Sequence, residues 1–416
     1  MTPLRHFAAL SLGCLHLLAV PAQAALSGAL SVLPPEPVVR RVLERLPQTR
    51  LGAINSELAA ADKAKLVAGP HEWTVRGAIN QRSVAEGGRY TEQDVALERP
   101  VRWFGKAGQD QAIGEKGVAL ASAMHADAWH EAARTLMKDW FDALREAASV
   151  ARLREQLTVT QQLRQVAERR VKAGDGAALD ALQAATEHLR VEALVQQAQQ
   201  RQDQSLALLD ISYAGLPRPS PADLPLPQAD MEGDQYWLTR ILQDNHELEL
   251  AQVEADLYAA RARRAASERM PDPTIALRAA RERAGQERLI GISLSIPLPG
   301  AGRSADRTAA VLKASMAMEK LAQVRLRVEL AARRAVIDSV RSHQVWQTLR
   351  DVEQQTSRQA DLMLRAYQAG ESTLADALGA RRRALDAALA AQAAQLDALA
   401  AFARLRLDAH AIWSID

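Results

Sequence analysis

Gly300-Ala301-Gly302-Arg303-Ser304-Ala305 has the small-residue spacing of a dinucleotide-binding turn, in which a helix N-terminus and closely approaching backbone receive a pyrophosphate. Its setting is wrong for that chemistry. A buried parallel strand should precede such a turn, whereas Ile290, Ile292, Leu294, Ile296 and Leu298 alternate here with Gly291, Ser293 and Ser295. The following helix runs on for roughly 65 residues with no second strand, so the stretch reads as a strand-to-helix turn. His125 and His130 are five apart, which puts them on different helix faces, and no third ligand is near, so no metal centre is expected. Arg333-Arg334 and Arg381-Arg382-Arg383 read as solvated helix faces. No nucleophile elbow, phosphate loop or zinc motif occurs, so the expectation is a non-enzyme with no catalytic residue, cofactor or metal. Two carboxylates remain, Asp180 and Asp376, each six residues after a glycine and each at the start of a helix, where the macrodipole favours negative charge.

Those carboxylates belong to a turn that occurs twice. Ala173-Gly174, five residues, then Asp180-Ala181-Leu182 returns 196 residues later as Ala369-Gly370, five residues, then Asp376-Ala377-Leu378. Each copy lies between long Ala/Leu/Arg/Gln-rich segments without internal proline. Glycine ends the first helix, and Asp175-Gly176 or Glu371-Ser372-Thr373 opens the second. A helical hairpin is therefore duplicated.

Composition fits long packed helices. Aromatics are only 4% of the 416 residues and the formal charge is +2, which gives no basic face for nucleic acid. Residues 1–24 read as a cleaved export signal: Arg5 and His6, an apolar run from Phe7 to Val20, then Ala22-Gln23-Ala24. The single cysteine, Cys14, falls inside it, so the mature chain is expected to have no thiol; a lipoprotein signal ending at Gly13-Cys14 is the alternative. No later apolar run approaches the roughly 20 residues of a membrane helix, so the product is expected in the periplasm or outer membrane.

The mature chain reads as two repeats, residues 25–216 and 233–416, joined by a proline-rich linker at 217–232. In the first, helical periodicity over 34–68 is broken at Pro47, and strands follow at about 72–82 and 91–102 around Glu86-Gly87-Gly88. Trp73 and Trp103-Phe104 fall at one end of this hairpin, as interfacial aromatics do in a membrane barrel. A helix over about 107–173 is expected to be on the order of 100 Å long, and its partner returns through Leu179, Leu182, Leu189 and Leu194 to about Tyr213. The second repeat has a helix over about 234–269, strands at about 274–281 and 288–298, a helix over about 302–369, and a return from Thr373 to about Trp413. Leu374, Leu378, Leu385, Leu389, Leu396 and Leu399 form the apolar face of that return helix.

Four strands, each apolar on one side and polar on the other, cannot close a barrel, and an open sheet in lipid leaves backbone groups unpaired. Three copies would supply twelve strands, enough for a wet lumen lined by Arg76, Asn80, Glu98, Ser293 and Ser295.

In this arrangement the sequence resembles the TolC-like outer membrane factors. The resemblance is carried by the two halves of helix, β-hairpin, long helix, glycine turn and return helix, by Ile292-Ser293-Leu294-Ser295-Ile296-Pro297-Leu298, and by the two turns. It implies a mostly α fold with a small membrane β part, a homotrimer whose 12-stranded β-barrel continues as an α-helical coiled-coil tunnel. It also implies an outer-membrane location among lipid, a periplasmic adaptor (membrane fusion) protein and an inner-membrane pump of the RND type. The turns at Gly174, Asp175, Gly176, Gly370, Glu371, Ser372 and Thr373 are then the periplasmic tip that meets the adaptor. By the same resemblance Asp376 matches a constriction position, while Asp180 and Tyr367 match positions that hold adjacent hairpins closed. Three copies of Asp376 near one axis would combine like-charge repulsion with cation attraction. A basic residue that the best-known members carry two positions after the second glycine is here Ser372, so fewer closing contacts are expected. The stretch from Arg365 to Asp376 is most similar to the branch that serves heavy-metal cation exporters.

The function expected is a passive exit duct of a tripartite efflux system, carrying small substrates and among them heavy-metal cations. The rival expectations are a periplasmic coiled-coil scaffold without a pore and the exit duct of a type I protein secretion system.

Overall fold

A computed structural model describes residue 28 and residues 30–222 and 224–415. The expected export signal, residues 1–24, and Cys14 lie outside the described residues. The elements in order are α1 (Glu36–Arg45), α2 (Pro47–Ala68), β1 (Thr74–Val84), β2 (Gly88–Pro100), α3 (Lys106–Lys172), α4 (Ala178–Ser212), α5 (Asp234–Gln243), α6 (His246–Ser267), β3 (Thr274–Glu282), β4 (Glu287–Ser295), α7 (Ala301–Gln368) and α8 (Leu374–Asp408). None of the described helices is long and apolar enough to cross a membrane.

Local chemistry sets the boundaries. Pro47 opens α2 at a position where the missing N–H costs nothing. The helix expected over 234–269 is two helices, because Asn245 accepts a hydrogen bond from the Leu248 N–H at 2.9 Å and Glu247 and Glu249 occupy the new first turn. β4 stops at Ser295, short of the expected 298, where Pro297 and Pro299 supply no donor to a ladder. The last helix stops at Asp408 and not near Trp413: His410 turns left-handed (φ 57°), and the His410 and Ala411 N–H groups return to the carbonyls of Leu407 and Arg406.

The chain forms two compact units, one mainly of residues 43–132 and 238–333, the other mainly of residues 133–237 and 334–413. The first holds a single antiparallel sheet of order β1-β2-β3-β4. Its register aligns Val75 with Leu97, Leu97 with Leu277 and Leu277 with Ile292, and likewise Gly77, Val95, Ala279 and Ile290. One face is therefore apolar across all four strands, the period-2 consequence of the alternation in sequence. Among the described residues nothing covers it: Ile290 and Ile292 are 82% and 81% exposed. In the same unit α6 packs on α7 through Ala251 and Ala255 against Ala317, Leu321, Val324 and Val328, a three-and-four spacing that lets the small residues bring the helices close.

In the second unit α8 buries the expected leucines 374, 378, 385, 396 and 399. Val150 and Leu153 of α3, Val195 and Ala198 of α4 and Leu385 of α8 form one cluster. Of the four leucines through which α4 was expected to return, Leu194 packs against this cluster and the other three do not. Leu179, Leu182 and Leu189 point outward, at 61–65% exposure, and the helix buries Ala184, Val191, Val195 and Ala198 instead. Leu378 and Leu385, 196 positions after Leu182 and Leu189, are only 7% and 4% exposed, so the same pattern is covered in one hairpin and bare in the other.

Candidate functional site

Both glycine turns are Schellman caps. The N–H of Gly174 meets the Val171 carbonyl at 3.1 Å and that of Asp175 the Arg170 carbonyl at 3.0 Å; Gly370 to Tyr367 (3.1 Å) and Glu371 to Ala366 (2.8 Å) repeat them. The geometry requires left-handed backbone, φ +76° at Gly174 and +81° at Gly370, which a residue with a Cβ adopts only with strain. Arg170 approaches Asp175 at 3.5 Å, and Gly176 lies against the backbone of Arg170 and Val171. In the second turn the Ser372 hydroxyl donates to the Met363 carbonyl at 3.4 Å. Thr373 Oγ1 accepts from the Asp376 N–H at 3.1 Å, while its hydroxyl donates to the Asp376 carboxylate at 2.6 Å. Asp376 is thus exposed and engaged in capping its own helix. Asp180 occupies the matching position of α4, where the cap residue is Ala177 and has no side chain to offer.

The structure brings the two turns together within one chain. Tyr367 is buried with Ala167 and Ala184 of the first hairpin and Leu374, Ala377 and Leu378 of the second. Behind it, α4 and α8 are joined by Glu187, which Arg190 and Arg382 grip at 2.7 and 2.6 Å. Burial acts to raise the Glu187 carboxyl, but the hydrogen bonds from these two arginines outweigh it and hold the group below its ordinary value. Arg382 is therefore a helix-to-helix tie, as is Arg381, 3.0 Å from Asp361; the expected solvated run is corrected to that extent. Sequence reading missed the tie because nothing local distinguishes Glu187 from an exposed helix glutamate.

In the sheet, Arg76, Asn80, Glu98, Ser293 and Ser295 share the face opposite the apolar one. Every arginine of that face has a carboxylate: Arg76 with Glu98 at 2.8 Å, Arg82 with Glu92 at 3.1 Å, and Arg278 with Asp94. Glu282 and Glu287 add to it, so five carboxylates stand against three arginines.

Where strands meet helices, the stretch Pro271-Asp272-Pro273 ends the helix and centres a network of charges. Asp272 accepts from the Trp103 N–H and from Lys106 Nζ, both at 2.9 Å, and His71 Nε2 lies 3.3 Å away. Lys106, 1% exposed, also reaches Glu268 at 3.1 Å, and Arg264 joins Asp110 at 2.6 Å. Burial works to raise Asp272 and Glu268; their N–H, Lys106 and Arg264 partners overcome it and place both below the ordinary carboxylate range. His130 has a ring partner on another helix that spacing did not reveal, His246, with centroids 5.9 Å apart. Burial and that neighbour lower the His246 pKa against the pull of Glu249. Among the described residues no group of three or more metal-ligating side chains gathers.

No protein-family model matches the chain, and no curated protein does. Solved structures do. The Campylobacter jejuni CmeC outer membrane channel superposes with a TM-score of 0.77 at 13% identity, over 100% of this chain and 95% of that one. The Vibrio cholerae outer membrane protein VceC gives 0.71 at 16% identity over 89% and 95% of the two chains. CusC, whose structures concern folding and transmembrane channel formation, gives 0.67 at 14% over 88% and 91%. The chain has the fold of these TolC-like outer membrane channels.

Proposed function

We propose that the chain is the outer-membrane exit duct of a tripartite efflux system. The observation that carries this is the sheet: four strands with an uncovered apolar face, a polar face of paired charges, and β1 and β4 left as unpaired edges within the chain. In water such a face invites association; in lipid it is stable, but each unpaired edge group would cost several kcal/mol. Joining β4 of one copy to β1 of the next pairs those edges, and three copies give twelve strands with the apolar face toward lipid and the polar face inward. Exposed Leu182 and Leu189 support the same ring, since their counterparts in the second hairpin are covered within the chain.

On this reading the homotrimer sits in the outer membrane, the glycine turns face a periplasmic adaptor, and an inner-membrane pump of the RND type supplies cargo. Asp376 lies at the constriction, while Tyr367 and Asp180 help hold the hairpins together. The surplus of carboxylates on the inner face and the likeness of residues 365–376 to the heavy-metal branch favour cations as cargo. Planar-bilayer recording of the detergent-extracted protein tests the proposal: channels that prefer cations support it, and persistent silence of folded, membrane-derived protein counts against it.

A further inference from the structure

The apolar face of the sheet ends, toward the strand turns, in arginines. Arg281 and Arg288 are direct register partners, Gln93 stands beside Arg281, and Arg89 lies further out opposite Ser83. Like charges placed directly opposite each other destabilise a strand pair. Among the described residues neither Arg281 nor Arg288 has a hydrogen-bond or ion-pair partner, although every arginine on the other face has one. The register explains the difference: Glu92, Asp94, Glu98, Glu282 and Glu287 all fall on the other face, so this face holds no carboxylate at all. Pairing with the strands of a second copy therefore brings no strand carboxylate to the pair. Across β2, β3 and β4 runs a shallow depression whose lining includes Gln93, Val95, Ala279, Arg281, Arg288 and Ile290, charged at one end and apolar along its floor.

We propose that Arg281 and Arg288 together clamp a phosphate monoester on a lipid headgroup, with an acyl chain lying along Val95, Ala279 and Ile290. Two guanidinium forks on opposed residues suit a tetrahedral phosphate, whose oxygens accept from both and relieve their repulsion. The apolar floor selects a lipid over free phosphate, which gains nothing from it. The inference rests on the barrel reading, in which this face meets lipid and the strand turns lie at the outer leaflet.

The test uses the detergent-extracted full-length protein, reconstituted in phosphatidylcholine nanodiscs with or without lipid A. Insertion is scored first, and lipid A retained per particle is then read by native mass spectrometry. The wild type is expected to retain lipid A, R281Q/R288Q to bind it roughly ten- to thirty-fold more weakly, and R281K/R288K to stay within a few-fold of wild type. Equal retention by wild type and R281Q/R288Q, no retention by inserted wild type, or full displacement by millimolar inorganic phosphate would each overturn the clamp. Failure to insert overturns the barrel reading and the clamp with it, and is visible before any lipid is counted.

Discussion

The guanidinium carbon of Arg170 lies 5.5 Å from the centre of the Tyr367 ring, so a cation from the first hairpin rests on an aromatic of the second. The contact is worth about 0.5–1 kcal/mol, and the ring itself fills the space between the two turns. R170A is expected to loosen the tip by about that much, and Y367A by about 3–5 kcal/mol of local packing. Both should raise resting single-channel conductance, Y367A the more; unchanged conductance in Y367A would remove Tyr367 from the closing contacts.

The two return helices start on different N-cap residues, Ala177 and Thr373, and that difference is measurable. T373A is expected to cost about 1 kcal/mol of helix stability. Ala177 has nearly the backbone of Thr373, φ −73° and ψ 136° against φ −85° and ψ 156°, so A177T should add a cap and stabilise the first turn by about 0.5–1 kcal/mol. Amide hydrogen exchange at residues 178–181 and 374–377 reads both, with faster exchange expected in the first variant and slower in the second.

Much of this was legible in the sequence, for reasons visible at particular residues. Alternation at Ile290, Ile292 and Leu294 specified which face is apolar, because one strand has only two sides. The glycines at 174 and 370 announced left-handed caps. What stayed hidden required partners distant in the chain: Glu187 with Arg382 and Lys106 with Asp272 are 195 and 166 residues apart. The outward leucines of α4 were visible as a stripe, but periodicity does not say which element covers a stripe.

Replacing Gly174 and Gly370 together with Val should impair export while the protein still reaches the outer membrane. No neighbouring atom obstructs a side chain at either position, so the harm is backbone strain on the order of 1–2 kcal/mol per site. Full resistance to exported substrates in that double variant would show that the turns do not dock a partner.

Leu182 and Leu189 distinguish a lone chain from a ring. If nothing covers them, L182S/L189S leaves the protein as stable as before; if a neighbouring copy does, each substitution should cost about 1.5–3 kcal/mol. The double variant is expected to lose detergent-resistant oligomer with no loss of helix content by circular dichroism.

Acid should weaken the joint around Asp272. Asp272, Glu268 and Glu187 titrate lower in the folded chain than the ordinary 3.8 or 4.5, so their contribution is complete above that range and is lost as pH falls through the lowered folded values. D272N should remove part of this acid sensitivity and cost about 1.5–3 kcal/mol at neutral pH, since buried Lys106 loses one of two carboxylates and keeps Glu268. Thermal unfolding across pH 3–7 reads both effects.

The most direct check on the whole account is the mass of the detergent-extracted particle by native mass spectrometry. Three chains of the mature protein per particle are predicted, insoluble once detergent is withdrawn. A monodisperse single chain in plain buffer, its apolar sheet face open to water, would contradict it.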